Sequence, residues 1–254
     1  MNFSLPHIPV RTESPRNEGL TMVMDKGLSL REAEDMIAAS CKHIDLVKLG
    51  FGTAFLTEDL DAKIKLYEDA GLKVYFGGTL FEAFIIRDMF DEFIDLTERY
   101  NLSMVEVSDG SIELDHDKKC EYIRILSKKV TVLSEIGSKS ADVVIPPYKW
   151  IQMMEKEIEA GSWKVIAEAR EGGNVGICSS TGEVRSDLIE EILTKIPREK
   201  ILWEAPQKSQ QVWFIKLLGA NVNLGNIAPN EVIPLECLRL GLRGDTFFDF
   251  LPKK

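Results

Sequence analysis

The chain is short of the features that mark several common protein classes. Histidine occurs only three times, and no GxSxG, HExxH or P-loop sequence is present, so serine-hydrolase, zincin and Walker-type chemistry find no foothold. The four cysteines, Cys41, Cys120, Cys178 and Cys237, form no CxxC or CxxH pair. They read as reduced core thiols, not as a disulfide framework or a zinc site. No run of about 18 apolar residues exists to span a membrane. MNFSLPHIPV lacks the basic and apolar regions of a secretory signal, so a cytoplasmic location is expected. Positive charge is scarce too: 31 bases against 41 acids leave a net charge of −10. That balance argues against a nucleic-acid or anionic-membrane partner.

What the chain does have is alternation. Short apolar runs rich in β-branched residues alternate with segments of helical period, the pattern of parallel βαβ units. The candidate strands are 20–25, 44–49, 73–77, 103–108, 129–136, 163–169, 200–205 and 221–225. Ser29–Glu32 and Thr79–Glu82 fit capping boxes at helix starts. Ile151, Met154 and Ile158 share one helix face, as do Val212, Ile215 and Leu218. Residues 80–100 carry Arg87-Asp88 in mid-pattern and read as two helices. Eight alternations with no spare strand and no linker predict one α/β domain over 1–254, a (β/α)8 TIM barrel with residues 1–18 as an N-terminal extension. Exposed barrel helices leave room for a homo-oligomer.

The strand ends are where polar residues gather, and a barrel keeps its functional groups at the carboxyl end of its strands. Lys26 follows the first candidate strand and Lys48 closes the second. Gly77-Gly78-Thr79 follows the third, and Glu106, Ser108 and Asp109 close the fourth. Glu135, Ser138 and Lys139 end the fifth, and Glu168 and Arg170 the sixth. Glu204, Gln207 and Lys208 end the seventh, and Asn223 and Asn226 flank the eighth. Period-2 alternation puts Glu106 on one face with Ser108, and Glu168 with Arg170. Helices cover the outside of a barrel, so these charges point into its mouth. Buried carboxylates are costly unless they are paired or bind a cation. Glu106, Glu135, Glu168 and Glu204 therefore suit a hard divalent ion, most plausibly Mg²⁺. Internal salt bridges, such as Glu135 with Lys139, are the bland alternative. Lys26, Lys48, Arg170 and Lys208 suit an anionic substrate bound through that metal. Gly78, and Asn226 after the last strand, stand where backbone N–H groups cradle phosphate. His7, His43 and His116 are isolated and read as structural or exposed.

Seven stretches together resemble the phosphosulfolactate synthase family: DKGL (25–28), VKLGFGT (47–53), KVYFGGTLFE (73–82), VEVSDGS (105–111), EIGSK (135–139), EAPQKSQQ (204–211) and GLRGDTF (241–247). The resemblance spans essentially the whole chain. It implies a (β/α)8 barrel that adds sulfite to phosphoenolpyruvate with Mg²⁺, giving (2R)-phospho-3-sulfolactate. It also implies Lys139 as the proton donor, and a glycine-rich loop over 170–184 that acts as a lid. Two other readings stand beside it. In one, a barrel aldolase uses Lys139 as a Schiff-base nucleophile. In the other, the chain is a non-catalytic relative like the plant heat-tolerance proteins. The intact set of strand-end charges favours an enzyme.

Overall fold

Each of the eight apolar runs becomes a strand. The computed structural model describes residues 2–137, 145–170 and 172–252. The strands are β1 (Thr21–Asp25), β2 (Leu46–Leu49), β3 (Lys73–Phe76), β4 (Met104–Val107), β5 (Thr131–Ile136), β6 (Lys164–Ala167), β7 (Ile201–Glu204) and β8 (Leu224–Ile227). All pairings are parallel, in the order β3-β2-β1-β8-β7-β6-β5-β4. The sheet is thus a (β/α)8 barrel closed at every junction except β3–β4, where no ladder forms among the described residues. Side chains bridge that seam. The Gly78 N–H donates to Glu106 Oε1 at 2.7 Å, and Ser108 Oγ donates to Glu82 Oε1 at 2.5 Å.

The helices are α1 (Leu30–Ser40), α2 (Thr53–Leu56), α3 (Leu60–Asp69), α4 (Gly78–Ile85), α5 (Phe90–Arg99), α6 (His116–Leu126), α7 (Pro147–Ala160), α8 (Ser186–Leu193), α9 (Lys208–Leu218) and α10 (Val232–Arg239). Ser29 and Glu32 form the expected capping box on α1. The break between α4 and α5 falls at Asp88, which takes a left-handed φ of 56°. The box expected at Thr79 and Glu82 does not form. Helix α4 begins two residues earlier with Gly77 as its N-cap, and Glu82 turns instead to Ser108 Oγ and the Ser111 N–H.

Two apolar layers follow from strand parity. One face of the strands packs Val23, Val47, Val74, Val165, Ile201 and Trp203 against the helices. The other fills the barrel with Leu20, Met22, Leu46, Tyr75, Met104, Leu133, Ile166 and Leu202. The eighth strand lies further along than its predicted span of 221–225. Thr21 pairs Leu224 but Val23 pairs Ile227, so β8 carries one extra residue, a β-bulge. Gly225 takes the inward place there, because a Cβ would sit 2.8 Å from Met22 Cε. Asn226 follows with φ 56°. The bulge moves Asn226 into the strand, and it leaves Asn223 at the amino end. There Asn223 accepts from the Leu20 N–H and donates to the Ile201 carbonyl, so it has no part at the barrel mouth.

Candidate active site

The cluster at the barrel mouth is one step up from the apolar filling. Two residues beyond Leu46, Met104, Leu133, Ile166 and Leu202 stand Lys48, Glu106, Glu135, Glu168 and Glu204, all on the same inward face and all buried. A cavity of about 240 Å³ opens above them. It is lined by those five together with Gly78, Arg170, Asn226, Met24, Phe51 and Thr79.

Lys48 sits among three of the carboxylates. Its Nζ is 3.0 Å from Glu106 Oε1, 3.3 Å from Glu204 Oε1 and 3.5 Å from Glu135 Oε2. Burial alone would lower the Lys48 pKa, but Glu106, Glu204 and Glu135 outweigh it and hold it well above its ordinary value. The acids do not receive the same relief. Burial, reinforced by Glu135, raises Glu106 against the opposing pull of Lys48 and the Gly78 N–H. Burial pushes Glu204 up to about 7, with Glu135 and Glu106 adding to it, although Lys48 and the Ala169 N–H act against the shift. One ammonium among three glutamates leaves negative charge in excess.

Gly78 is essential to this wall. A Cβ there would lie 2.3 Å from Ser108 Oγ and 2.7 Å from Glu106 Oε1, so only glycine lets the two strand ends approach. Its N–H, expected to cradle phosphate, is already given to Glu106.

Oxygen-only donors, two buried oxygens without partners among the described residues (Glu106 Oε2 and Asn226 Oδ1) and an excess of carboxylates over ammonium groups all fit a hard cation. Among the described residues, however, no three His, Cys, Asp or Glu side chains converge as a ready metal cage. The Lys48 ammonium occupies the space between them. The donors therefore fit an ion such as Mg²⁺ that takes one or two carboxylates and keeps its other positions for water and substrate oxygens.

Three of the described residues read from the sequence fall elsewhere. Lys139 lies outside the described residues, as does Glu171 of the glycine-rich loop. Lys26 lines a neighbouring cavity with Ser29, Thr53 and Lys63. Lys208 is exposed and bonds both oxygens of Asp245 at 3.0 Å, which ties EAPQKSQQ to GLRGDTF. Gln207 donates to the Gly172 carbonyl, and Gln210 to those of Gly173 and Gly182. The amides after β7 thus fasten the 170–184 loop and do not face the cavity. Sequence reasoning missed Tyr75. Its buried hydroxyl has no hydrogen-bond partner among the described residues and feels Glu106, Lys48, Glu204 and Glu135. The signal was its place two residues before Gly77 on the inward face. Asp25, at the end of β1, is spent on structure: it accepts from Tyr67 Oη, Lys63 and the Gly27 and Leu28 N–H groups.

Buried acids and an ammonium at the carboxyl mouth of a (β/α)8 barrel define a barrel enzyme of the kind whose chemistry is set by its strand-end residues. Comparison with known proteins makes this particular. The chain belongs to the (2R)-phospho-3-sulfolactate synthase (ComA) family, whose model matches residues 9–245. It is 41% identical to the phosphosulfolactate synthase of Bacillus subtilis, over 97% of this chain and 99% of that protein. It is 38% identical to the phosphosulfolactate synthase of Methanothermobacter thermautotrophicus, over 94% of this chain and 95% of that one. Protein HEAT-STRESS-ASSOCIATED 32 of Arabidopsis thaliana is more distant, at 21% identity over 90% of this chain and 88% of its own. Among solved structures, 3-hexulose-6-phosphate synthase from Salmonella typhimurium superposes with a TM-score of 0.56 at 16% identity, covering 88% of this chain and 100% of that one. That likeness concerns the fold alone.

Proposed function

We propose that the chain adds sulfite to phosphoenolpyruvate with Mg²⁺, giving (2R)-phospho-3-sulfolactate with its phosphate retained. The observation that carries this reading is the crowding of four buried glutamates at the cavity, with the Lys48 ammonium set among three of them. Both substrates are anions, and a cavity walled by glutamates repels them unless a cation comes between. When bound, Mg²⁺ supplies electrophilic stabilisation of the charge that gathers on the substrate carboxylate. One or two of Glu106, Glu135, Glu168 and Glu204 would hold it, and Glu106 brings an oxygen without a partner among the described residues.

The remaining work falls to the chain. Lys48 keeps three glutamates together against their mutual repulsion. Arg170, exposed on the cavity rim, meets the incoming anion. The sulfur of sulfite bonds to C3 of phosphoenolpyruvate while the C2=C3 electron pair shifts toward C2 and the carboxylate. Lys139 then gives a proton to C2, and no bond to phosphorus breaks. The four free thiols accord with a cytoplasmic setting.

The test is direct. Purified protein incubated with phosphoenolpyruvate, sulfite and Mg²⁺ should yield a product whose mass is the sum of phosphoenolpyruvate and bisulfite. EDTA should abolish its formation and added Mg²⁺ restore it. Free phosphate without the adduct would refute the addition, and full turnover in metal-free buffer would refute the role of Mg²⁺.

A further inference from the structure

Behind the cavity wall lies a second buried charge cluster that the reaction as described does not use. Lys119, on α6, is fully buried. Its Nζ reaches three acceptors on three different parts of the chain: Glu157 Oε1 of α7 at 2.8 Å, Asp109 Oδ1 after β4 at 2.9 Å, and the Glu135 carbonyl of β5 at 2.6 Å. An ammonium has three donors, so all are engaged inside the protein. On the outer side His116 Nε2 meets the same Glu157 oxygen at 3.1 Å.

The carbonyl contact is the informative one. The β4–β5 ladder ends at the pair Val107 and Ser134, so Glu135 stands one residue beyond it. Lys119 takes up the Glu135 carbonyl where no β4 partner remains. The Glu135 side chain, on the same residue, faces Lys48 across the cavity floor. Burying an ion costs several kcal/mol, and well-packed apolar residues often serve stability as well or better. Packing alone gives no reason for a lysine here, whereas a fixed strand exit does.

We infer that Lys119 is a positioning residue for the reaction: it anchors the end of β5 so that the Glu135 carboxylate is held against Lys48 at the cavity. The inference rests on the proposed sulfite addition for its kinetic consequence, but its structural consequence is independent of substrate. Asp109 and Glu157 hold the ammonium, the ammonium holds the Glu135 main chain, and none of the three touches the cavity.

Two variants and a control separate anchoring from plain stability. Lys119→Met leaves Glu157 without its ammonium and lowers the melting temperature. Lys119→Met/Glu157→Gln removes the fully buried one of the two carboxylates left behind, Asp109 at the edge being the other, and recovers part of that loss, while the Glu135 carbonyl stays unheld. Glu157→Gln alone leaves Lys119 on Glu135. Turnover should fall about 10²-fold in both Lys119 variants, the scale of a displacement of about 1 Å at a site, and should stay near wild type in Glu157→Gln. Hydrogen exchange at residues 135–137, measured without substrate, should quicken in the Lys119 variants only. Recovery of turnover together with melting temperature in the double variant would overturn the inference. Unchanged exchange at 135–137 would overturn it as well, even if the wild-type protein made no phosphosulfolactate, a result that would instead count against the sulfite-adding reading.

Discussion

The two ends of the barrel bury charge in opposite ways. At the amino end, Arg11 bonds Glu236 at 2.9 Å, and Arg16 bonds Asp45 at 2.8 Å. Arg239 donates to the carbonyls of Ala220, Val222 and Leu20. Lys164 donates to those of Asn17 and Glu199. Each cation has an acceptor made for it, and the extension before β1 is tied down by the same contacts. Burial works to raise Glu236, but Arg11 and Arg239 overcome it and hold that acid low. At the carboxyl end burial holds Glu106 and Glu204 high, and Lys48, shared among three acids, does not offset it. Paired arginines and carboxylates tie the floor of the barrel, where burial nonetheless pushes Lys164 down to about 8 and Arg239 down to about 9 because carbonyls alone receive most of their donors. Mismatched charge marks its mouth as a place completed by something that arrives.

Four substitutions test that contrast. The largest effect belongs to Lys139. Lys139→Met should lower turnover by about 10²–10⁴-fold, the usual contribution of a positioned proton donor, with phosphoenolpyruvate binding weakened much less. Borohydride should trap no adduct on Lys139, since phosphoenolpyruvate has no free ketone; a trapped adduct would restore the Schiff-base reading. Next comes Lys48→Met, which strips the one ammonium from three buried glutamates and should cost about 3–5 kcal/mol of stability. Chemical denaturation would measure it, and a loss below about 1 kcal/mol would mean that the acids are neutralised by other means.

At the opposite end Arg11→Met should cost about 1–3 kcal/mol, by leaving Glu236 and the Gly19 carbonyl without the Arg11 donor, and should leave turnover unchanged. A fall in turnover beyond that in folded protein would break the division between the ends.

The smallest effect has a sign of its own. Glu204 has a folded pKa of about 7, raised from 4.5, so its ionised form opposes folding above that range. In metal-free buffer at pH 8, Glu204→Gln should be more stable than wild type by about 1–3 kcal/mol, from the shift at about 1.4 kcal/mol per unit discounted for coupling among the acids. The gain should shrink as the pH falls from 7 toward 4.5, where the wild-type acid is protonated folded or unfolded. A variant less stable than wild type at pH 8 would show that Lys48 and the Ala169 N–H already balance the charge.

Much of this was legible in the chain because strand parity is a local property. Glu106, Glu135, Glu168, Glu204 and Lys48 each follow an apolar inward residue by two, and a period of two carries them to one face without knowledge of any partner. The eighth strand was misplaced because a single bulged residue shifts parity, and NVNLG holds no mark of where the extra residue lies. Gln207 and Lys208 were assigned to substrate because their true partners are distant in sequence. Gly172 and Asp245 come within reach only after the barrel forms. Glu82 misled for the converse reason: a local capping signal was outbid by Ser108 across the seam.

That seam bears on how the chain might be rewired. The sheet runs unbroken from β3 through β2, β1, β8, β7, β6 and β5 to β4. Its gap thus falls between two strands adjacent in sequence, while the strands nearest the termini, β1 and β8, are laddered together. A circularly permuted protein cut between α4 and α5 would begin with β4 and finish with β3. Its new ends would coincide with the gap in the ring, and every strand ladder would be inherited intact. The Gly78 N–H on Glu106, the Glu82 contacts to Ser108 and Ser111, and the packing of Phe81 against Phe93 and Val105 would then hold the old neighbours together, so such a permutant would test what the active-site wall contributes to closing the barrel.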